Sequence, residues 1–354
     1  MVRSVRDLKW GGIERWLASV YITRVSMVGL PSLEFGLMGH TSINTAIGGS
    51  QIARYDMEIL ITGGTGSIGR VLCRTLTEKG HRLTVLSRNP TKVKAICGEG
   101  TVAISSLDDL QESDHFDAVV NLAGEAVIGA YWTENRKQIL WNSRVAVTRQ
   151  LTDFISRATV KPRVFISTSA VGFYGNGGDN IINEDSPGSG GYAHTLCQGW
   201  EDAASRVKEF GVRLCIVRFG LVLMSHGGML KSMLPSFRVG LGARIGSGQQ
   251  WMPWIHCQDL VSMIELLLGN AELCGVFNGV APNPVTNREF TVSLARHLKR
   301  PVFLFVPEWL LKLGMGEMGQ LLLDGQRAIP KRFQEAGFVF QYPSLDSALT
   351  EIIG

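Results

Sequence analysis

The chain has 354 residues, 45% of them hydrophobic, with 35 basic against 31 acidic side chains and a formal net charge of +4. That is long enough for two domains and apolar enough for a substantial core, and it has no basic block of the kind that grips nucleic acid. Six cysteines stand apart without any Cys-x-x-Cys pair, which argues for a reducing compartment and against a disulfide framework or zinc site; nor does any apolar run reach the about eighteen residues that predict a membrane span.

Residues 1–56 do not share the patterning of the rest. They are mildly basic, then turn-rich, without sustained periodicity. A targeting segment, a true extension and a start placed upstream of the real one at Met57 are the competing readings. Asp7 and Glu14 oppose a transit peptide, and no apolar stretch with a small-residue cleavage site is evident. Met57 stands directly before the first strand-like run, so 1–56 is read as an unstructured or mis-assigned extension.

From Met57 the chain reads as a β-α-β unit. Ile59, Leu60 and Ile61 run into Thr62-Gly63-Gly64-Thr65-Gly66-Ser67-Ile68-Gly69; a helical pattern through Val71, Leu72 and Leu76 follows, Gly80 closes it, and 83–86 is a second strand. In this context Gly63 allows the tight turn, Gly66 lets backbone approach a pyrophosphate, and Gly69 lets the helix lie close to the sheet. The helix N-terminus then offers unpaired N–H groups to phosphates. The second strand ends in Ser87-Arg88-Asn89. A carboxylate for ribose hydroxyls is missing there and a guanidinium is present, which favours NADP(H) over NAD(H).

Strands and helices go on alternating. Residues 117–124 form a buried strand running into the small-residue turn Ala123-Gly124, 132–155 are helical and carry Arg144, 163–169 are a strand, 199–210 a helix and 213–223 an apolar strand. Beyond 223 come glycine-rich loops around helical 229–237, an aromatic turn before His256 and Asp259, an apolar helix at 260–268, another helix at 286–299, and a compact tail with helices at 309–323 and from 345. The pattern predicts an α/β protein: a Rossmann-type doubly wound parallel sheet with a smaller α+β C-terminal substrate region. The expected division is a dinucleotide domain at 57–225 with returning segments from 226–300, a substrate-side region at 226–306 and a small C-terminal domain at 307–354.

With these motifs assembled, the chain from Met57 onward resembles the extended short-chain dehydrogenase/reductase superfamily. Within it, TGGTGSIG, LSRN, NLAGE, STSAVGFYG, GSGQQWMPWIHCQDL and the tail from Gly316 are similar to an atypical branch known as epimerase family proteins, labelled nucleoside-diphosphate-sugar epimerases. The resemblance implies that Gly63, Gly66, Ser67, Ile68 and Gly69 hold the pyrophosphate and Ser87 and Arg88 the adenosine phosphate. It further places Leu122 and Ala123, with Gly124 in the same turn, beside the adenine and ribose, brings Arg144 to the cofactor from the following helix, and packs Val222 near the nicotinamide.

Active members of that superfamily use a Ser and a Tyr-x-x-x-Lys pair, whose spacing puts phenol and ammonium on one helix face so that the cation lowers the phenol pKa. Here Ser169 matches the serine. Counting back from Glu201 puts Cys197 at the lysine and Ala193 at the tyrosine; Tyr192 is one residue out of register, and no lysine occurs between Pro187 and Val207. Ser169 and Tyr192 are the catalytic residues expected, with His194 an alternative acid/base. His256 and Asp259 read as a helix entry rather than a dyad, and Cys197 as a buried thiol.

The expectation is an NADP(H)-binding oxidoreductase or nucleotide-sugar epimerase lacking the usual pair, acting in the cytoplasm on a small polar or nucleotide-linked substrate, with no metal, nucleic acid or membrane span; a homodimer is left open. The alternative is a non-catalytic NADP(H)-binding regulatory or interaction protein, since some relatives carry labels connected with cell or plastid division.

Overall fold

The core of the protein is a seven-stranded sheet whose central strands are apolar on both faces. The computed structural model describes residues 56–128 and 130–354, so the expectations for 1–56 lie outside the described residues apart from Asp56. The strands are β1 (Glu58–Thr62), β2 (Arg82–Leu86), β3 (Val102–Ile104), β4 (Ala118–Asn121), β5 (Val164–Ala170), β6 (Arg213–Phe219) and β7 (Gly275–Gly279). Their order is β3-β2-β1-β4-β5-β6-β7, with every pair parallel. The chain winds outward from β1 to β3 and then crosses to β4, so a crevice opens where the direction reverses, at the carboxyl ends of β1 and β4. This is the Rossmann-type sheet expected from the sequence.

Side-chain alternation along β1 explains the burial. Ile59 and Ile61 face one core with Leu72, Val120 and Val261, whereas Leu60 faces the other with Val119, Phe165 and Ile216. All three β1 residues are completely buried, and each such side chain contributes about 1.5–3 kcal/mol. A third core, around Trp254, Phe290 and Leu349, belongs to the C-terminal half.

Three elements differ from their sequence reading. The expected strand 213–223 is two strands: β6 ends at Phe219, and Leu221–Leu223 leaves the sheet to pair in parallel with Trp254–His256. Gly220 makes the change possible, because a Cβ there would lie 2.6 Å from the carbonyl oxygen of Pro253. The helix expected at 199–210 begins earlier, as Gly191–Ser205, and ends in a 3-10 turn at Arg206–Phe210. The tail helix expected at 309–323 is broken at Gly316 (φ +55°) into Glu308–Met315 and Glu317–Leu323.

The C-terminal segment is bonded to the body at named points. Asp259 accepts the backbone N–H groups of Gln341 at 2.8 Å and Tyr342 at 2.9 Å, and Phe333 stacks between Phe277 of β7 and Phe338. His256 Nδ1 accepts the N–H of Gln258, so its proton sits on Nε2, which donates to Glu351 at 3.0 Å. His256 and Asp259 therefore open the helix Cys257–Gly269 and clamp the tail.

Candidate functional site

At the end of β1 the loop and helix are fitted to each other through backbone alone. Gly63 has φ +69°, and a Cβ there would stand 2.4 Å from the carbonyl oxygen of Leu122. At Gly69 a Cβ would fall 2.2 Å from the carbonyl oxygen of Gly63 and 2.6 Å from the Cα of Gly64, so this glycine lets the helix lie on the loop as well as near the sheet. Gly66 donates its N–H to Gly63 at 2.9 Å and is the N-cap of the helix Ser67–Glu78. That cap has no side-chain hydrogen bond and the first turn no acidic residue, which leaves donors and a partial positive charge for an anion. Gly227 closes over Ser67: its own Cβ would stand 2.5 Å from Ser67 Oγ. Ile68 and Val222 pack, half-buried, against the first core.

At the end of β2, Ser87 is buried and its Oγ accepts the N–H of Asn89 at 3.1 Å. The Arg88 side chain is 96% exposed, with Glu125 at 3.8 Å. Across the crevice, Leu122 and Ala123 leave β4 with their N–H groups on Thr62 and Asn121. Arg144 is only 9% exposed and lies against this turn: a Cβ on Gly124 would be 3.1 Å from its Cζ, and its Nη2 donates to the carbonyl of Glu125 at 2.8 Å. A π-helical turn, Asn142–Ala146, interrupts the expected continuous helix where Ser143 and Arg144 meet the loop.

The position of the customary proton relay is buried and locked by internal hydrogen bonds. Ser169 is 2% exposed and donates from Oγ to Glu201 Oε1 at 2.7 Å. Glu201 in turn holds Arg218 through two hydrogen bonds of 2.8 Å, and the Arg218 guanidinium lies 3.5 Å from the centre of the Phe173 ring. Tyr192 donates its phenol to the carbonyl of Lys137 at 2.7 Å, with Trp132 edge-on to its ring; burial holds its pKa above the ordinary value, Arg144 and Lys137 pulling weakly the other way. His194 Nδ1 is 2.7 Å from the carbonyl of Phe173. Burial pushes Cys197 up to about 11, so it is a neutral thiol near pH 7. The structure thus brings Ser169 and Cys197 together, while Tyr192 points to another helix. Glu201 and Arg218 escaped the sequence reading, although an arginine inside the apolar run Leu214–Phe219 was a visible signal of a buried partner.

The cysteines give a direct check. Of the six, only Cys274 is exposed, and burial raises Cys215 to about 11 and Cys257 to about 12. Titration of the native chain with a thiol reagent at pH 8 should register one fast thiol, rising to six on denaturation; two or more fast thiols would contradict the packing around the glycine loop and Ser169.

Beside Tyr192 a cleft of about 380 Å³ opens between the body and the C-terminal segment. Lys137, Tyr192 and Ala193 line one wall, and Glu317, Gln320 and Gln326 the other. Lys137 Nζ bridges it to Glu317 at 2.9 Å. Among the described residues no helix is long and apolar enough to cross a membrane.

A parallel sheet with an uncapped glycine-turn helix at its switch point is the architecture of a dinucleotide-binding α/β protein of the short-chain dehydrogenase/reductase type. More narrowly, the chain belongs to the NAD dependent epimerase/dehydratase family, whose model matches residues 59–278; a domain of unknown function (DUF1731) matches 306–352. Epimerase family protein YfhF of Bacillus subtilis is 38% identical over 301 residues, covering 84% of this chain and 98% of that protein. The chloroplastic SDR39U1 homolog of Arabidopsis thaliana is 38% identical over 303 residues, covering 84% of this chain and 87% of that protein. A crystal structure of human epimerase family protein SDR39U1 with NADPH superposes with a TM-score of 0.76 at 34% identity, covering 84% of this chain and 99% of that one. The resemblance to the epimerase family proteins is borne out.

Proposed function

We propose that the chain binds NADP(H) in the crevice above β1 and β4 and is an oxidoreductase or nucleotide-sugar epimerase that works without a Tyr-x-x-x-Lys pair, in the cytoplasm, on a small polar or nucleotide-linked substrate held in the cleft beside Tyr192. The observation that carries this is Arg88: it is almost fully exposed just beyond β2, the strand paired with the β1 strand whose end leads into an uncapped helix N-terminus. The NADPH bound by human SDR39U1 supports the same reading.

The residues present fit the cofactor. The uncapped N–H groups from Ser67 onward would take the pyrophosphate, Arg88 and Ser87 the 2′-phosphate, and the Leu122–Gly124 turn the adenosine, with Arg144 bracing that turn and Val222 on the nicotinamide side. When bound, the nicotinamide supplies hydride transfer. This chain contributes binding, orientation and exclusion of water, which serve hydride transfer through proximity. Tyr192 donates its hydroxyl to the Lys137 carbonyl and Ser169 to Glu201, so proton exchange with substrate proceeds more slowly than through a phenol–ammonium pair.

Calorimetric titration of the full chain with NADPH and NADH tests this. NADPH should bind more tightly. Arg88→Ala should weaken it about tenfold, as expected for one charge-assisted hydrogen bond, with little effect on NADH. Equal affinities in the wild type would remove the Arg88 reading. The locked Ser169 and Tyr192 favour one second reading, an NADP(H)-binding regulatory protein; tight NADPH binding without consumption across a panel of sugar nucleotides and carbonyl compounds would select it.

A further inference from the structure

The preference for NADP(H) argued above rests on a guanidinium, and no carboxylate, at the end of β2. The fold brings a carboxylate there from the turn after β4. Glu125 Oε2 lies 3.8 Å from Arg88 Nη1, and its other oxygen 3.7 Å from Arg136 Nη1.

The turn that carries this carboxylate is fixed through its backbone. The Glu125 N–H donates to Ser143 Oγ at 3.1 Å and its carbonyl accepts from Arg144 Nη2 at 2.8 Å. Arg136 also donates to the carbonyl of Ala126, while its Nε is buried without a partner. Gly124 leaves no slack in the turn, because Arg144 fills the space a side chain would need. Arg88 is 96% exposed and Arg136 17%, so the fixed pair is Glu125 with Arg136, and Arg88 is the partner free to leave.

We infer that Glu125 sets cofactor selectivity. In the free protein it holds Arg88. A 2′-phosphate captured by Arg88 then lies in the field of this carboxylate, which opposes it and narrows the preference for NADPH over NADH. A ribose 2′-hydroxyl carries no charge and escapes that penalty, and a carboxylate is the usual acceptor for it. Arg136 tempers the effect by neutralising Glu125, and so acts on the cofactor through Glu125 as a positioning residue. This rests on the NADP(H) reading above.

The test is calorimetric titration of the full chain with NADPH and NADH in wild type, Glu125→Gln, Arg136→Met and the double variant, with thermal melts confirming that each is folded. Glu125→Gln should tighten NADPH about fivefold, the scale of a partly exposed charge pair, without tightening NADH, and raised salt should shrink the gain. Arg136→Met should weaken NADPH about threefold in the wild type and leave the Glu125→Gln background unchanged. An unmoved NADPH/NADH ratio in Glu125→Gln, or weaker NADPH binding in that variant, overturns the inference while leaving the NADP(H) reading intact. An equal loss from Arg136→Met in both backgrounds overturns the part given to Arg136. Binding of neither nucleotide by the wild type overturns both.

Discussion

Gly69→Val is expected to reduce NADPH affinity by about a hundredfold, equivalent to roughly 2.7 kcal/mol, and to lower stability by about 1–3 kcal/mol. The first carbon added would lie 2.2 Å from the Gly63 oxygen and 2.6 Å from the Gly64 Cα. Both are backbone atoms, so no rotamer change relieves the contact. The loop cannot retreat towards β4 either, since the site of a Gly63 Cβ is already only 2.4 Å from the Leu122 oxygen. The helix must therefore lift from the loop, and the N–H groups aimed at the pyrophosphate move with it. Gly100→Ala is the control, because nothing lies within 4 Å of a Cβ there; it should leave affinity and Tm unchanged. Wild-type NADPH affinity in Gly69→Val would mean that the cofactor binds elsewhere.

How far these features could be read beforehand depended on whether they are local. Buried parallel strands carry unbroken apolar runs, so β1, β4 and β5 were visible in Ile59–Ile61, Ala118–Val120 and Val164–Ile166. The glycine turn was visible because its spacing encodes a backbone path, and the tail because its motifs are similar to those of one family branch. What stayed hidden was contact between distant segments. Nothing in the pattern of 213–223 shows that Gly220 meets Pro253, and nothing near Glu125 shows that Arg88, 37 positions earlier, lies within 3.8 Å. The start at Gly191 lay outside the helix read at 199–210 because the Gly190-Gly191 pair is a poor local start; Leu196 and Trp200, packed with Leu140 and Val145, hold it in place. Tyr192 showed a related limit. A one-residue slip in a helix turns a side chain by about 100°, and here it points the phenol at Lys137 instead of Ser169.

Arg218→Met is the substitution expected to cost the most stability. Arg218 and Glu201 are 5% and 8% exposed as side chains, and the pair sits between β6 and the helix Gly191–Ser205 with the Ser169 hydroxyl as a third member. Removing one partner leaves a buried carboxylate with only Ser169 to bond, at a cost of about 3–5 kcal/mol. For a chain of this size each kcal/mol shifts Tm by roughly 1.5 °C, so a fall of about 4–8 °C should be seen in a thermal melt. The double variant Arg218→Met/Glu201→Leu discriminates between causes. It removes the stranded charge along with its partner, so most of the loss should return, leaving about 1–2 kcal/mol for the unpaired Ser169 hydroxyl and the stacking lost from Phe173. Equal losses in the single and double variants would show that Arg218 matters as a packed aliphatic stem over Phe173 and not as a charge. Recovery in the double variant would mean that the two charges stabilise the fold little in sum, and that what they do for this protein is pin Ser169 and the wall of the cleft in one arrangement.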